Sequence, residues 1–210
     1  MNPSSLEKLG GISLIAGSLL MAVYSATFLL LMPIRGGAID YVQLVLNPNW
    51  LWLAILVFIG LLLMIVGFYA VYSRIRPIAG IVGAAGFLFI EAAYFFQACK
   101  VTWEIFLFPI IAAHSETAFL LRDGVIKDDP AVGVFRLISS ITIFIGILLF
   151  CLVLYRSGEY PKASPVLIFA GALVYALGPM FSKFVALAGI FAFAVGCFLL
   201  GACLIKRHRA

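Results

Sequence analysis

The sequence predicts an all-α integral membrane protein, a single bundle of six transmembrane helices that covers residues 1–210. Of these residues, 65% are hydrophobic and 11% are charged, which is far too apolar for a soluble globular domain. The apolar residues fall in runs of about 20, the length that a helix needs to cross a hydrocarbon core of roughly 30 Å. An outer-membrane β-barrel would instead show alternating segments of about ten residues, so that class is excluded.

Helix-start and helix-stop residues set the boundaries of the predicted spans. Pro33 ends the first apolar run, and Asn47-Pro48 forms a cap followed by proline at the first helical position. Asp129-Pro130 repeats this start signal before the fourth run. The spans are therefore predicted at about residues 10–32, 49–72, 77–98, 132–155, 164–178 and 182–205.

The first span follows Lys8 and so also resembles a secretory signal. Its apolar core exceeds the roughly 7 to 15 residues of a signal h-region, although the small residues around Ser25 and Ala26 are compatible with a cleavage site. We predict that this segment is retained as a membrane span. Ser18, Ala22 and Ala26 recur every four residues and predict a face that packs closely on another helix.

The third span begins at Pro77 and holds one acidic residue, Glu91, within an apolar run. Gly80, Gly83 and Gly86 in its first half predict close contact with another helix. Glu91 comes about 21 Å along the helix from Pro77, at 1.5 Å per residue, which places it beyond the midplane. Because an ionised carboxylate there costs about 2.5 to 3.5 kcal/mol on insertion scales, Glu91 is expected to point into the bundle.

The chain over residues 99–124 is predicted to form a helical hairpin on the outer face or a shallow re-entrant segment. Glu104 interrupts its apolar residues, and His114 and Glu116 follow. Non-helical backbone at membrane depth is tolerated only where protein or water covers it. Lys100 and Glu104 are four residues apart and are therefore expected to form an ordinary surface ion pair.

The later spans hold fewer charges. Arg136 lies near the outer end of the fourth span, where it either extends to the surface or pairs with an acidic residue of the outer loops. Gly178-Pro179 ends the fifth span after about 15 residues, or roughly 22 Å of helix. Such a short span either leaves a cavity or is completed by Met180 and Phe181.

The net charge of +5 reflects topology and not nucleic-acid binding, because no basic face exists outside the predicted spans. The segments on one side of the membrane contain two acidic residues, Glu7 and Glu159. By the positive-inside rule those segments, both termini among them, are cytoplasmic. The cations on that side are Lys8, Arg74, Arg76, Arg156, Lys162, Lys206, Arg207 and Arg209.

The sequence offers little catalytic or cofactor chemistry. His114, Glu104 and Glu116 have the residue types of a metal site, but their spacing lacks the His-Glu-x-x-His pattern. His208 in the tail is the other histidine, so haem held by two histidines within the bilayer is excluded. Nucleophile-elbow, phosphate-loop and dinucleotide motifs do not occur in the sequence. No cofactor, metal or catalytic residue is predicted.

Two motifs resemble those of a known group of bacterial membrane proteins. They are FLFIEAA at residues 87–93 and LYRSGEYPK at residues 154–162, followed by Ala170-Gly171. Over roughly residues 10–181 the chain resembles the family catalogued as domain of unknown function 4386. The resemblance implies six spans in a bacterial cytoplasmic membrane and implies no activity, because none is assigned to the family. The loop exit at residues 163–165 departs from the family pattern, in which the chain continues straight into the helix.

We predict a multi-pass membrane protein that binds a small lipophilic or cationic molecule, or a partner membrane protein, through an outer-leaflet pocket around Glu91. The candidate binding residues are Glu91, Glu104, His114, Glu116 and Arg136. Two other classes stay open: an intramembrane enzyme with Glu91 or His114 as acid or base, and a structural accessory subunit without a ligand. The lipid bilayer is an expected partner and nucleic acid is not.

Overall fold

A computed structural model describes residues 3–31, 34–35 and 38–207, so the predicted helix stop at Pro33 and the tail residues 208–210 lie outside the described residues. The helices are α1 (Pro3–Leu31), α2 (Tyr41–Val45), α3 (Pro48–Thr102), α4 (Phe108–Ala113), α5 (Phe119–Arg122), α6 (Val125–Asp128), α7 (Pro130–Ser157), α8 (Ala163–Leu177) and α9 (Lys183–Arg207).

Four further elements, two helical turns and two short strands, lie between these helices. A π-helical turn, Trp103–Leu107, joins α3 to α4, and a 3₁₀ turn, Gly178–Met180, follows α8. The two-residue strands β1 (Ile34–Arg35) and β2 (Ala38–Ile39) pair antiparallel. Beyond that pairing the described residues contain no strand, which confirms the all-α class.

Within the described residues, five helical segments are long and apolar enough to cross a membrane. They are Ser5–Leu31, Pro48–Ala113, Pro130–Ser157, Ala163–Met180 and Lys183–Lys206. The chain is therefore a membrane-embedded helical protein. The fourth of these segments, Ala163–Met180, includes the 3₁₀ turn, so the short predicted span near Gly178 extends as far as Met180.

The cap signals in the sequence begin the helices that they predict. The Asn47 side chain accepts a hydrogen bond from the Asn49 backbone N–H at 2.9 Å. The Asp129 side chain accepts one from the Ala131 N–H at 2.8 Å. Each cap satisfies a backbone donor that the first helical turn leaves unpaired.

Helix α3 folds back on itself at Gly80. That residue has φ 58° and ψ −164°, a backbone conformation that favours glycine. Residues 48–79 form a first limb and residues 81–102 a second limb. The Phe68 and Tyr94 rings lie 5.6 Å apart, whereas a straight helix would separate these residues by about 39 Å. The two limbs are therefore packed antiparallel, and the reversal comes three residues after Pro77, which itself stays helical.

The chain beyond residue 98 continues as a helix where a hairpin is predicted. Helix α3 runs on through Thr102, and the π turn and α4 carry the helical path to Ala113. The chain reverses at His114, whose φ of −104° and ψ of 121° are extended. Helices α5 and α6 then lead to α7.

Glycines allow the long helices to approach closely. A Cβ atom added at Gly86 would lie 2.7 Å from the Phe150 backbone nitrogen, so Gly86 makes the close contact predicted for it. Gly11 and Gly201 face each other in the same way: a Cβ on either would lie within 2.7 Å of the other's carbonyl oxygen. The first helix thus packs directly against the last.

At the Gly80 end of the bundle, three charged residues and a tyrosine form what we call the Arg74 cluster: Glu7, Arg74, Glu159 and Tyr160. Arg74 donates to Glu159 Oε2 through Nε at 3.3 Å and Nη2 at 3.2 Å, and its Nη1 lies 3.6 Å from Glu7 Oε2. Its guanidinium carbon lies 5.8 Å from the centre of the Tyr160 ring. Burial raises the pKa of the Tyr160 phenol, against the opposing effect of Arg74. The cluster joins α1, α3 and the loop before α8.

Candidate functional site

The opposite end of the bundle contains two adjoining cavities. The larger, which we call the chamber, has a volume of about 350 Å³ and lies between α1, both limbs of α3, α7, α8 and α9. Most of its walls are apolar side chains. They include Met21, Val57, Leu61, Ile143, Phe144, Ile147, Phe169, Leu173, Ile190 and Phe193.

The smaller cavity, which we call the vestibule, has a volume of about 180 Å³ and lies beneath α5 and α6. Its walls are aromatic and basic. They include Phe28, Tyr41, Trp103, Phe108, Phe135, Lys127 and Arg136. Four residues line both cavities and form the neck between them: Tyr24, Lys100, Glu104 and Tyr175.

Glu104 is the acidic residue of the neck, and its side chain is buried with 8% of its surface exposed. It lies in the π-helical turn, a distortion that widens the helix and often occurs at functional sites. The Tyr24 hydroxyl donates a hydrogen bond to Glu104 Oε2 at 3.1 Å. Trp50 also faces this carboxylate, but its buried Nε1 finds no partner at hydrogen-bond distance among the described residues.

Other polar groups near the neck are paired between helices. The Tyr175 hydroxyl donates to Ser25 Oγ at 3.1 Å, which links α8 to α1. Gln97 Nε2 donates to Ser139 Oγ at 3.3 Å, which links the second limb of α3 to α7. Water is scarce inside a bilayer, so such pairs keep polar side chains satisfied.

Lys100, Lys127 and Arg136 bring positive charge to the vestibule, and the side chains of all three are exposed. Arg136 Nη2 donates to the Lys127 carbonyl oxygen at 2.7 Å. Among the described residues, neither Arg136 nor Lys100 forms a salt bridge with Glu104. The vestibule is therefore a basic compartment with one carboxylate at its inner edge.

Tyr41 is a neutral hydrogen-bonding group at the vestibule wall. It belongs to the short helix α2, outside the membrane-spanning segments. Burial and then the charge of Glu104 raise the pKa of its phenol, while Arg136 lowers it. The phenol therefore stays protonated through neutral pH and can donate a hydrogen bond into the cavity.

The structure separates Glu91 from these cavities. Glu91 is half-buried and does not line the chamber or the vestibule. Its Oε1 is buried and has no hydrogen-bond partner among the described residues. Leu88 and Phe95, three residues before and four after it, are 64% and 60% exposed. Glu91 thus lies at the border between the outer surface and the bundle interior, apart from both cavities.

The remaining predicted residues divide between two places. Glu104 and Arg136 both line the vestibule. His114 and Glu116 are exposed at the end of α4 and do not line either cavity. The described residues contain no group of three His, Cys, Asp or Glu side chains placed to hold a metal ion. The structure therefore brings together two of the five candidates.

The predicted surface ion pair between Lys100 and Glu104 is wrong. The helix changes from α to π geometry between them, and Glu104 becomes buried against Tyr24 of another helix. Sequence reasoning also missed Tyr24 and Tyr175 as members of the site. A polar hydroxyl in the middle of an apolar run was the one local signal for them.

A third cavity, of about 310 Å³, lies beside the start of α3. It is lined by residues such as Gln43, Asn47 and Asn49, and its described lining residues carry no charge. Asn47 already serves as the cap of α3. The chamber and the vestibule are therefore the stronger candidate site.

Comparisons with protein-family models, with curated proteins and with solved structures find no match to this chain. The resemblance to the domain-of-unknown-function 4386 family stays a prediction.

Proposed function

We propose that this chain is a six-span protein of a bacterial cytoplasmic membrane, related to the domain-of-unknown-function 4386 family, that binds a small lipophilic molecule in the chamber. The observation that carries this proposal is an apolar cavity of about 350 Å³ beside a buried carboxylate that a tyrosine from another helix holds in place. Ligand sites in proteins are typically cavities of about 300 to 1,000 Å³ with apolar walls and a few placed polar groups.

The count of six spans is supported by the reversal at Gly80. The segment Pro48–Ala113 contains 66 residues, and a straight helix of that length would measure about 99 Å, more than three times the hydrocarbon core. Two antiparallel limbs divide this length into two crossings. The chamber end would then face outward and the Gly80 end would face the cytoplasm.

The proposed orientation rests on the charges at the Gly80 end. Contacts of Arg74 with Glu7 and Glu159 place the start of α1 and the end of α7 at this end. The cations there outnumber these two acids, as the positive-inside rule requires of a cytoplasmic surface. They include Lys8, Arg74, Arg76, Arg156 and Lys162.

In this proposal Glu104 takes the role that the sequence suggests for Glu91. A carboxylate within a membrane segment is retained mainly where it faces a bundle interior or a polar cavity. Glu104 meets this condition, because it is buried and lines both cavities. The alternative of an enzyme with Glu91 or His114 as acid or base gains no support, since neither residue lines the chamber or the vestibule.

One observation favours a second candidate, contact with a partner membrane protein through Glu91. Glu91 is half-buried and shares a helix stripe with the exposed Leu88 and Phe95. A polar group on a helix of the partner would bind the exposed part of the Glu91 side chain. Glu91→Gln should then reduce co-purification of the partner and leave the chamber unaffected.

Native mass spectrometry of gently extracted protein tests the binding function. We expect a co-purified small molecule on the wild-type chain and its loss in Ala172→Phe, which fills the chamber. Ala170→Phe is the matched control, because Ala170 is exposed on the same helix and does not line the chamber. A wild-type chain without any adduct, or one that always carries a second protein, would instead indicate an accessory subunit.

A further inference from the structure

We infer that the ligand of the chamber is an anionic amphiphile, a single-chain molecule with a carboxylate or phosphate headgroup. This inference rests on the proposed function and adds the ligand class to it. The headgroup lies in the vestibule near Lys100 and Arg136, and the hydrocarbon chain lies in the chamber.

The charge of the vestibule selects the headgroup. Among the described residues, the vestibule is lined by three cations, Lys100, Lys127 and Arg136, and by one acid, Glu104. The Oε2 atom of Glu104 already accepts the Tyr24 hydroxyl at the neck. A cationic headgroup would meet three like charges, whereas an anionic headgroup would bind the cations through charge-assisted hydrogen bonds.

Arg136 is held in position for this role. Its hydrogen bond to the Lys127 carbonyl oxygen, at 2.7 Å, fixes the guanidinium at the vestibule wall. That bond uses one of its five N–H donors. The other N–H groups make no hydrogen bond with the described residues, so they remain free for a bidentate contact with a carboxylate or phosphate.

The chamber has the properties needed for a hydrocarbon chain. Its walls are mostly aliphatic and aromatic, and they extend from the neck toward Ile190 and Phe193. Ser140 and Phe144 of α7 and Ala176 of α8 line it and are exposed, so the chamber is open on the side where α7 and α8 meet. An amphiphile in the bilayer can therefore enter sideways between α7 and α8 without leaving the membrane.

The test compares probes that share one bromine-labelled alkyl chain and differ in headgroup: a carboxylate, a phosphate, an alcohol and a trimethylammonium. Each is titrated into the protein in phosphatidylcholine nanodiscs, and quenching of tryptophan fluorescence is measured. Trp103 lines the vestibule, so Trp103→Phe identifies its share of the signal. Ala172→Phe defines the quenching caused by probe that is merely dissolved in the bilayer.

We expect saturable quenching of Trp103 by the carboxylate or the phosphate, with the alcohol at least about tenfold weaker and the ammonium at background. The tighter of the two anions identifies the natural headgroup. Lys100→Gln and Arg136→Gln should each weaken anion binding about tenfold, the effect expected from losing one charge-assisted hydrogen bond. Lys183→Gln is the matched control, since it removes a cation at the same end of the bundle that does not line either cavity.

Failure of this inference can be distinguished from failure of the proposed function. If the alcohol or ammonium binds as tightly as the anions, or if both Gln variants keep wild-type affinity, the ligand is not recognised by a negative charge. The inference of an anionic ligand is then wrong, while binding of a lipophilic molecule in the chamber is still supported. If no probe quenches above the Ala172→Phe background, the chamber does not bind lipophilic molecules at all. Size-exclusion profiles and thermal stability of each variant confirm that its fold is retained.

Discussion

The two ends of the bundle use charged residues in opposite ways. At the Gly80 end, Arg74 is paired with two carboxylates from other parts of the chain. At the chamber end, cations and a carboxylate line an open space, and no salt bridge joins Lys100 or Arg136 to Glu104 among the described residues. Paired charges hold helices together, whereas charges left around a cavity are available for a ligand.

The largest loss of stability is expected when the ion pairs of the Arg74 cluster are removed. Arg74→Ala leaves Glu7 and Glu159 near each other without their shared cation, so we expect the free energy of unfolding to fall by about 2 to 3 kcal/mol. This lies between the values for exposed and buried pairs, because the Arg74 side chain is 16% exposed. Denaturant titration in detergent measures the change.

Arg156→Ala is the control for that experiment, since Arg156 is exposed at the same end. Probe binding in the chamber should be unchanged in Arg74→Ala, because the cluster lies at the opposite end. Weaker probe binding in a folded Arg74→Ala protein would show that the two ends are not independent.

A smaller loss of stability is expected from a substitution at Gly80, where α3 reverses. Gly80→Ala forces an L-residue into a positive φ, and we expect a loss of about 1 to 2 kcal/mol. Space is not the cause, since a Cβ there would meet nothing within 4 Å. Gly133→Ala is the matched control: it is equally open but helical, so thermal unfolding should shift upward there and downward for Gly80→Ala.

At the chamber end, Tyr24→Phe removes the donor to Glu104 Oε2. We expect a loss of about 1 kcal/mol in the free energy of unfolding, the typical net contribution of one hydrogen bond. Tyr155→Phe, at the other end of the bundle and exposed, should have no measurable effect. Equal stability of the two variants would mean that the Tyr24 bond does not hold Glu104 in place.

The smallest effect concerns Tyr41 and pH. Its folded-state pKa is raised above the usual value of 10.0, so its contribution to stability is present below pH 10.0 and is lost as pH rises toward the folded pKa. The free energy of unfolding should therefore depend on pH differently in the wild-type and Tyr41→Phe proteins only above pH 10.0. Tyrosinate absorbance checks this: Arg136→Gln should delay ionisation of Tyr41 further, because Arg136 lowers that pKa.

The class of fold and several helix starts could be predicted from the sequence, because they depend on composition and on residues close together in the chain. Asn47 and Asp129 cap the helices that they were expected to begin, because capping depends on residues close in sequence. The reversal in α3 was less predictable. Pro77 looked like a helix start, but proline is tolerated in a first turn or a kink, and the break instead uses the glycine three residues later.

The candidate site was harder to predict, because its key contact is not local. Tyr24 and Glu104 are far apart in sequence, and no pattern in either segment predicts their hydrogen bond. Burial of Glu104 also depends on the π turn, which changes the faces of the helix after Trp103. Glu91 was predicted to be the polar residue of the pocket because it lies in an apolar run. In the structure, however, Leu88 and Phe95 of that run are exposed.

The close approach of Gly11 and Gly201 has a consequence for biosynthesis. Helix α1 is synthesised before α9 and packs against it, so the glycine face of α1 stays without this neighbour until residues near 201 have been synthesised. A chain that stops before α9 would leave the backbone around Gly11 uncovered in the membrane.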